Sequence, residues 1–373
     1  MCKKFILILI IFFLAGFVHA LDLTFTGEIR TGILWERVED SHLGVIREET
    51  GFASIWGTEH INNVRLRLDM HLVSDNLGLV MRLQPNNIDA MQVSIPFVFA
   101  YGNFLDERLR VTIGRLERSP WRADGPHIWQ QLDTTIGIRT EIFPAAIPGF
   151  GFGFAINHWN NATYHTELLT IDNLLMESVF GFTYTNDLFH ARLGYRLDSD
   201  ADVDPGGSTN EGHELMYRLE ASFLSNLVPG LSVWANGWWR GFIGSTELVP
   251  AFYQNWLYVQ FDPEDFFTRL SLGLRFTESL SHHFDAEMEF YYRVLPFLNI
   301  GGSVFYNLEF GPGRSLFGVP FRFLAGRPRI QAHFGNASIS LEYEIRGSYL
   351  AAADRSLRQR TEQWLNLRAE ITF

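Results

Sequence analysis

Apolar and polar residues alternate with a period of two along most of this chain. In the segment 21–35 the odd positions are mostly apolar and the even positions mostly polar, and the same alternation recurs in 64–72, 214–223, 269–277 and 337–346. A period of two places successive side chains on opposite faces of a β-strand. Each segment is therefore predicted to be a strand with one apolar and one polar face.

The first 20 residues have a different character from the rest. Lys3 and Lys4 precede an apolar stretch at 5–17, and Val-His-Ala at 18–20 supplies small residues at the −3 and −1 positions of a cleavage site. These are the features of a secretory signal peptide. We expect residues 1–20 to be removed and residues 21–373 to form a single domain. After Ala20 no stretch is long and apolar enough to predict a transmembrane helix.

The connections between the alternating segments are short and long in turn. The short ones lie at 74–76, 106–108, 144–149, 186–187, 225–230, 262–265 and 335–336. The long polar ones lie at 36–59, 117–132, 159–174, 198–212, 241–250 and 347–360. Tight turns at one end and long loops at the other are typical of a transmembrane barrel, whereas a soluble sandwich does not sort its loops in this way. We predict an all-β fold, an antiparallel up-and-down β-barrel of about 18 strands, with 16 as the alternative because 311–335 divides ambiguously.

Aromatic residues gather near the ends of the predicted strands. We expect an aromatic girdle at the membrane interfaces, formed by Trp35, Tyr101, Tyr184, Trp239, Tyr253 and Tyr292.

The last strand carries the most specific signal in the chain. Leu365, Leu367, Ala369, Ile371 and the terminal Phe373 alternate with polar residues. With this last strand, the leader and the succession of antiparallel strands, the chain resembles the bacterial outer-membrane β-barrels. The resemblance is closest to the porins and holds at the level of the superfamily. The resemblance implies that the barrel-assembly machinery reads Phe373 as an assembly signal. It also implies a location in the outer membrane, in contact with its lipids, with both termini in the periplasm.

Composition excludes several other classes of function. The formal net charge is −12, whereas a nucleic-acid-binding protein needs a basic face. The single cysteine, Cys2, lies in the leader, so disulfides and thiolate metal sites are not expected. His282 and His283 lack a metal-binding spacing, and no nucleophile motif accompanies them. The carboxylates of 198–204 are weakly similar to a calcium loop. We predict no catalytic residue, no metal site and no cofactor.

The polar faces of the predicted strands carry many charges, which we expect to line an aqueous lumen. The predicted pore-lining residues are Arg30, Arg65, Arg67, Arg82, Arg110, Arg139, Asp285, Glu287, Glu289, Glu342 and Glu344. In an 18-strand ring the segments 109–116 and 284–292 lie across from each other, so a basic wall would face an acidic wall. The alternative is that arginines and carboxylates pair locally and keep the lumen wet.

The long segment 117–132 is a candidate constriction loop. Its candidate residues are Trp121, Arg122, Asp124 and Trp129. In porins a loop near this point of the chain folds inward and narrows the pore. Glycines at 149, 151 and 153 would leave room on the wall for such a loop. A loop exposed at the surface is the alternative.

These observations favour a porin-like channel for passive diffusion of small hydrophilic solutes, without enzymatic activity. Two alternatives stay open. The first is an occluded barrel that acts as a surface adhesin or scaffold through its loops at 36–59, 117–132 and 198–212. The second is a substrate-specific channel. An oligomer is compatible with the sequence, but no wall lacking aromatic residues identifies a subunit interface.

Overall fold

The computed structural model describes residues 22–52, 65–87, 92–116, 120–123, 127, 136–158, 178–196, 213–240, 252–277, 282–310, 323–351 and 357–373, and almost all of them are β-strand. The first ten strands are β1 (Asp22–Asp40), β2 (Gly44–Phe52), β3 (Arg65–Val73), β4 (Leu77–Asn87), β5 (Gln92–Ser94), β6 (Val98–Phe104), β7 (Leu109–Arg115), β8 (Ile136–Ile142), β9 (Phe150–His158) and β10 (Val179–Thr185). The others are β11 (His190–Arg196), β12 (Glu214–Glu220), β13 (Leu231–Arg240), β14 (Phe252–Phe261), β15 (Phe266–Thr277), β16 (His282–Leu295), β17 (Leu298–Phe310), β18 (Phe323–Phe334), β19 (Ala337–Ala351) and β20 (Leu357–Thr372). Among the described residues, one short helix, α1 (Phe223–Leu227), joins β12 to β13.

The strands form a single antiparallel sheet that closes on itself. The first and last strands pair along their length, so that Ile29 lies opposite Ile371 and Glu36 lies opposite Trp364. The 20 segments fill 18 positions, because β2 and β3 follow each other along β1, and β5 and β6 follow each other along β4. The prediction of a closed antiparallel barrel of about 18 strands is therefore confirmed.

Apolar side chains are exposed on the outer face of the barrel wall and polar side chains are buried on its inner face, which is the reverse of a soluble protein. On the outer face, Ile33, Ile339 and Leu367 are 47%, 49% and 46% exposed. On the inner face, Glu36 and Asn366 are each 1% exposed. A continuous exposed apolar wall around buried polar groups is the arrangement that a lipid bilayer stabilises. The predicted alternation is therefore apolar outward and polar inward.

The two ends of the barrel differ in their connections. We call the end where β1 begins and β20 ends the terminal end, and the opposite end the loop end. The terminal end carries the tight connections at 74–76, 105–108, 143–149, 186–189, 262–265 and 335–336, together with α1. The turn at Pro296 and Phe297 also lies there, although the sequence did not indicate it because aromatic residues continue up to the turn. The terminal end thus has the turns that the sequence assigned to one end.

Two predicted long loops are partly strand, so their bounds were wrong. Within 36–59, β1 continues to Asp40, a turn at 41–43 follows, and β2 then pairs with β1. Within 347–360, β19 continues to Ala351 and β20 begins at Leu357. At 36–40 both faces carry charged residues, and at 347–351 Gly, Ser, Tyr, Leu and Ala follow one another without alternation. The period of two is therefore lost in both segments while the backbone pairing continues.

The predicted aromatic girdle is largely on the outer face. Trp35, Tyr184, Trp239, Tyr253 and Tyr292 are in outward register.

Tyr101 was also predicted to belong to the girdle, and that prediction is wrong. It lies opposite Gly78 and the buried Thr112, and the guanidinium of Arg110 lies 4.2 Å above its ring. The inner face of β6 is itself aromatic, so residue type could not indicate which face was which.

The leader at 1–20 lies outside the residues that the structure describes. Among the described residues, no helix is long and apolar enough to cross a membrane.

Adjacent substitutions on β18 test which face meets the bilayer. Ile330 is on the outer face and 44% exposed, and Gln331 is on the inner face. We expect Ile330→Arg to lower the free energy of unfolding by about 2 kcal/mol or more, because it places a cation in lipid. Gln331→Arg should change it by less than about 1 kcal/mol. Urea unfolding in lipid vesicles, followed by tryptophan fluorescence, measures both. Equal losses would contradict the assignment of the faces.

Candidate functional site

The inner wall brings the predicted pore-lining residues onto one continuous surface. The residues in inward register are Arg30, Arg65, Arg67, Arg82, Arg110, Arg139, Asp285, Glu287, Glu289, Glu342 and Glu344. The backbone of Arg65 pairs with that of Arg30, but its side chain lies outside the described part of the structure. The barrel therefore presents charged side chains around its inner circumference.

Two of the three inward carboxylates of β16, Asp285 and Glu289, are paired with arginines of the neighbouring strand. Asp285, which is fully buried, accepts bonds of 2.7 and 3.1 Å from Arg275 and one of 2.5 Å from Asn307. Glu289 forms an ion pair with Arg269. Because β15 supplies these cations directly beside β16, this wall is not acidic as a whole.

The same local pairing occurs on both sides of the seam where β1 pairs with β20, in the wall that runs from β18 to β4. Glu344 lies 2.9 Å from Arg327 and 3.1 Å from Arg346. Arg30 bonds to Glu370 at 3.0 Å, and Arg82 binds Asp69 through two bonds of 2.6 Å. Of the two interpretations of the lumen, this geometry favours local pairing over opposed basic and acidic walls. Pairing lowers the cost of keeping charges inside the barrel.

The described residues 120–123 and His127, which come between β7 and β8, lie inside the barrel. Trp121 is 1% exposed and lies flat against Gly153 and Gly181 of the inner wall. A Cβ atom at Gly181 would lie 2.1 Å from the Trp121 ring, and one at Gly153 would lie 2.9 Å from it. The missing side chains therefore form a notch that the indole fills. Gly149, expected to be part of the same glycine wall, instead lies in the preceding turn with a φ of +77°.

Trp121 and Ala123 join an apolar cluster on the inner face of the barrel. Its other members are Ala155, Val179, Met216, Trp234, Trp256 and Tyr258. They come from β9, β10, β12, β13 and β14, so Trp121 and Ala123 join a cluster whose strands span about a third of the ring. Packing of this kind excludes water from that side of the lumen.

His127 anchors the loop a second time, on the wall of β14 to β17. Its ring lies 3.8 Å from that of Trp256, and its carbonyl accepts a 3.3 Å bond from Gln254. Nε2 lies 2.8 Å from Oε2 of Glu287. Burial lowers the pKa of His127 to about 3, and Arg269 adds to the effect. In its neutral form the imidazole donates its Nε2 hydrogen to the Glu287 carboxylate.

The four candidate loop residues have different outcomes. Trp121 is an anchor and Arg122 is half-buried beside it. Asp124 and Trp129 lie outside the described residues. His127 and the inward tryptophans of β13 and β14 were not predicted from the sequence. The signal was present in the alternate positions 234, 236 and 238, but aromatic residues also occupy the outer face of those strands, which hid it.

Substitution of Gly181 tests the notch. We expect Gly181→Ala to displace Trp121, because the new methyl group would overlap its ring. Displacement of the loop from the wall should increase the single-channel conductance by about twofold or more, an order-of-magnitude expectation from a wider lumen. The control is Gly326→Ala, whose Cβ would approach no described atom closer than Ile345 at 4.0 Å. Equal conductance in the two variants would argue against the notch.

Asp285 provides a test of the paired charges. Asp285→Ala leaves Arg275 without its bidentate partner, and we expect the free energy of unfolding to fall by about 2–4 kcal/mol. Asp265 pairs with Arg293 at 3.7 Å where both side chains are exposed, so Asp265→Ala should cost less than about 0.5 kcal/mol. Urea unfolding of the refolded barrel distinguishes the two. A loss for Asp285→Ala no greater than the control would show that the buried pair is not stabilising.

Among the described residues, no group of three or more His, Cys, Asp or Glu side chains is suited to hold a metal ion. The carboxylates of 198–204 lie outside the described residues.

Comparison with known proteins identifies the fold. No protein-family model and no curated protein matches the chain. Among solved structures, the outer membrane channel DcaP of Acinetobacter baumannii is 9% identical, with coverage of 95% of this chain and 98% of that chain and a TM-score of 0.52. A loop-deletion mutant of OmpT, an outer membrane protein of Vibrio cholerae, is 13% identical, with coverage of 95% and 100% and a TM-score of 0.50. These similarities concern the fold, and the chain has the porin-like fold of the bacterial outer-membrane β-barrels.

Proposed function

We propose that this protein is a porin-like channel of the bacterial outer membrane for passive diffusion of small hydrophilic solutes. The observation that carries the proposal is a closed barrel with an apolar outer wall and a polar, charged inner wall. The outer wall suits lipid and the inner wall suits water. No cofactor or energy source enters the mechanism, and neither catalysis nor nucleic-acid binding is part of it.

The β7–β8 loop would narrow the channel and determine which part of the inner wall borders the open passage. Trp121 and His127 hold this loop against β9, β10 and β12 to β17. The passage would therefore follow the remaining wall, which carries the pairs of Arg30, Arg82 and Glu344. Alternating cations and carboxylates along a narrow aqueous path orient water and discriminate solutes by size and charge.

The route to the membrane is part of the same proposal. Residues 1–20 would be a cleaved signal peptide, and residues 21–373 a single barrel domain with both termini in the periplasm. The barrel-assembly machinery would read Phe373, whose ring lies over Gly27 and whose backbone exchanges bonds of 2.7 and 3.0 Å with that glycine. This contact closes the β1–β20 seam at the terminal end.

One observation favours a second candidate function. The loop is anchored at two points and packs into a dry aromatic cluster, which is how an occluded barrel would be built. Such a barrel would act as a surface adhesin or scaffold, or as a substrate-specific channel that opens only when the loop moves.

Single-channel recording of the refolded mature protein in planar bilayers distinguishes these functions. Stable ohmic openings are expected for a diffusion channel, and the reversal potential in a salt gradient gives its ion preference. Deletion of residues 119–130 should enlarge the conductance, since it removes the anchored loop. The occluded barrel would be favoured if the full-length protein is folded and heat-modifiable but does not conduct, whereas the deletion variant does.

A further inference from the structure

A groove of about 440 Å³ interrupts the outer wall between β10 and β13. Phe182, Tyr184 and Leu193 line it on one side, and Leu219 and Trp239 line it on the other. All five are in outward register, so the groove opens to the medium around the barrel and not to the lumen.

A tyrosine that leans across a glycine opens this groove. Tyr217 belongs to β12, but its ring lies over Gly237 of β13, where an added Cβ would be 1.9 Å from Cε1. Its hydroxyl donates a 2.8 Å bond to Oδ1 of Asn255 on β14. Because the ring reaches across β13, it leaves the space above β11 unfilled, and the small Ala191 forms part of the floor there.

A second bond fixes the tilt of this tyrosine. Nε1 of Trp239 donates a 2.9 Å bond to the same Oδ1 of Asn255, and the Tyr217 and Trp239 rings meet edge to face at 5.8 Å. Asn255 is thus an amide on the outer faces of β12 to β14, where the other residues in outward register are apolar or aromatic. Its carbonyl satisfies two polar groups that would be costly to leave unpaired in hydrocarbon. The groove is held open by a hydrogen-bonded frame and does not depend on loose side-chain packing.

We propose that this groove is a binding site for one membrane phospholipid, with an acyl chain lying in it. The inference rests on the proposed membrane location of the barrel. The groove is continuous with the apolar outer wall, so hydrocarbon chains are the groups that reach it. The lining is apolar, and Arg192 turns its side chain to the lumen, where Nε lies 2.7 Å from His190 Nε2. The polar frame at Asn255 lies beside the groove towards the loop end, where the glycerol and ester groups of a lipid would be accommodated.

Filling the floor of the groove tests the site. The barrel is refolded into vesicles of palmitoyl-oleoyl phosphatidylethanolamine and phosphatidylglycerol, extracted in detergent and examined by native mass spectrometry. We expect the wild type to retain one phospholipid. Ala191→Phe should reduce its occupancy by about tenfold, because the new ring occupies the space of the chain. The control is Ala286→Phe, which adds the same ring to the outer wall of β16, away from the groove, and should retain the lipid.

Further measurements keep the test decisive. Heat-modifiable migration in gel electrophoresis shows whether each variant is folded. If Ala191→Phe does not fold, Asn255→Leu is tested in its place. Without the Asn255 amide the Tyr217 ring is free to move back over the groove and fill it. The single-channel conductance of Ala191→Phe should equal that of the wild type, because Ala191 faces away from the lumen. A failure of the proposed channel function and a failure of the proposed lipid site would therefore be seen in different measurements. Equal lipid retention by Ala191→Phe and Ala286→Phe would overturn the proposal. The proposal would also be overturned if the wild type forms a dimer that holds no lipid and Ala191→Phe dissociates this dimer. The occupant of the groove would then be a second copy of the chain.

Discussion

The pairing of the first strand with the last is the constraint on which the rest of the structure depends. Backbone N–H and C=O groups cannot remain unpaired in a bilayer, so a membrane sheet must have no free edge. The register that joins Glu28 to Thr372 and Asp40 to Arg360 supplies this closure along residues 28–40 of β1. Once the ring is closed, the side chains have only two destinations, lipid and lumen, and the alternation of the sequence assigns each of them.

Closure also creates an interior that must be filled or hydrated. One side of this interior is filled by the β7–β8 loop, whose indole occupies a notch that exists because Gly153 and Gly181 lack side chains. The other side is lined by ion pairs such as those of Arg82 and Glu344. The division has a physical basis, since apolar rings pack without water whereas paired charges tolerate partial hydration. The same principle acts on the outer wall, where a glycine accommodates Tyr217 and an amide satisfies its hydroxyl.

Much of the fold was predictable because its signal is local. Alternation in 64–72, 269–277 and 337–346 identified strands and their faces correctly, and the short connections marked one end of the barrel. The prediction was wrong where both faces of a strand have the same character. At 36–40 both faces are polar, so β1 was ended too early, and at Tyr101 aromatic residues line the inner face, so the tyrosine was assigned to lipid.

The sequence by itself determined the class of the fold and the charged character of the inner wall, because these follow from composition and a period of two. Closure of the ring decided for 18 strands over 16. Only the tertiary structure decided which charges pair, since Arg275 and Asp285, or Arg327 and Glu344, become neighbours through strand register and not through chain proximity. It also decided that Trp121 lies on glycines 32 and 60 residues further along the chain, and that His127 reaches Glu287. Contacts between residues so distant in sequence depend on the closed ring, and no local pattern records them.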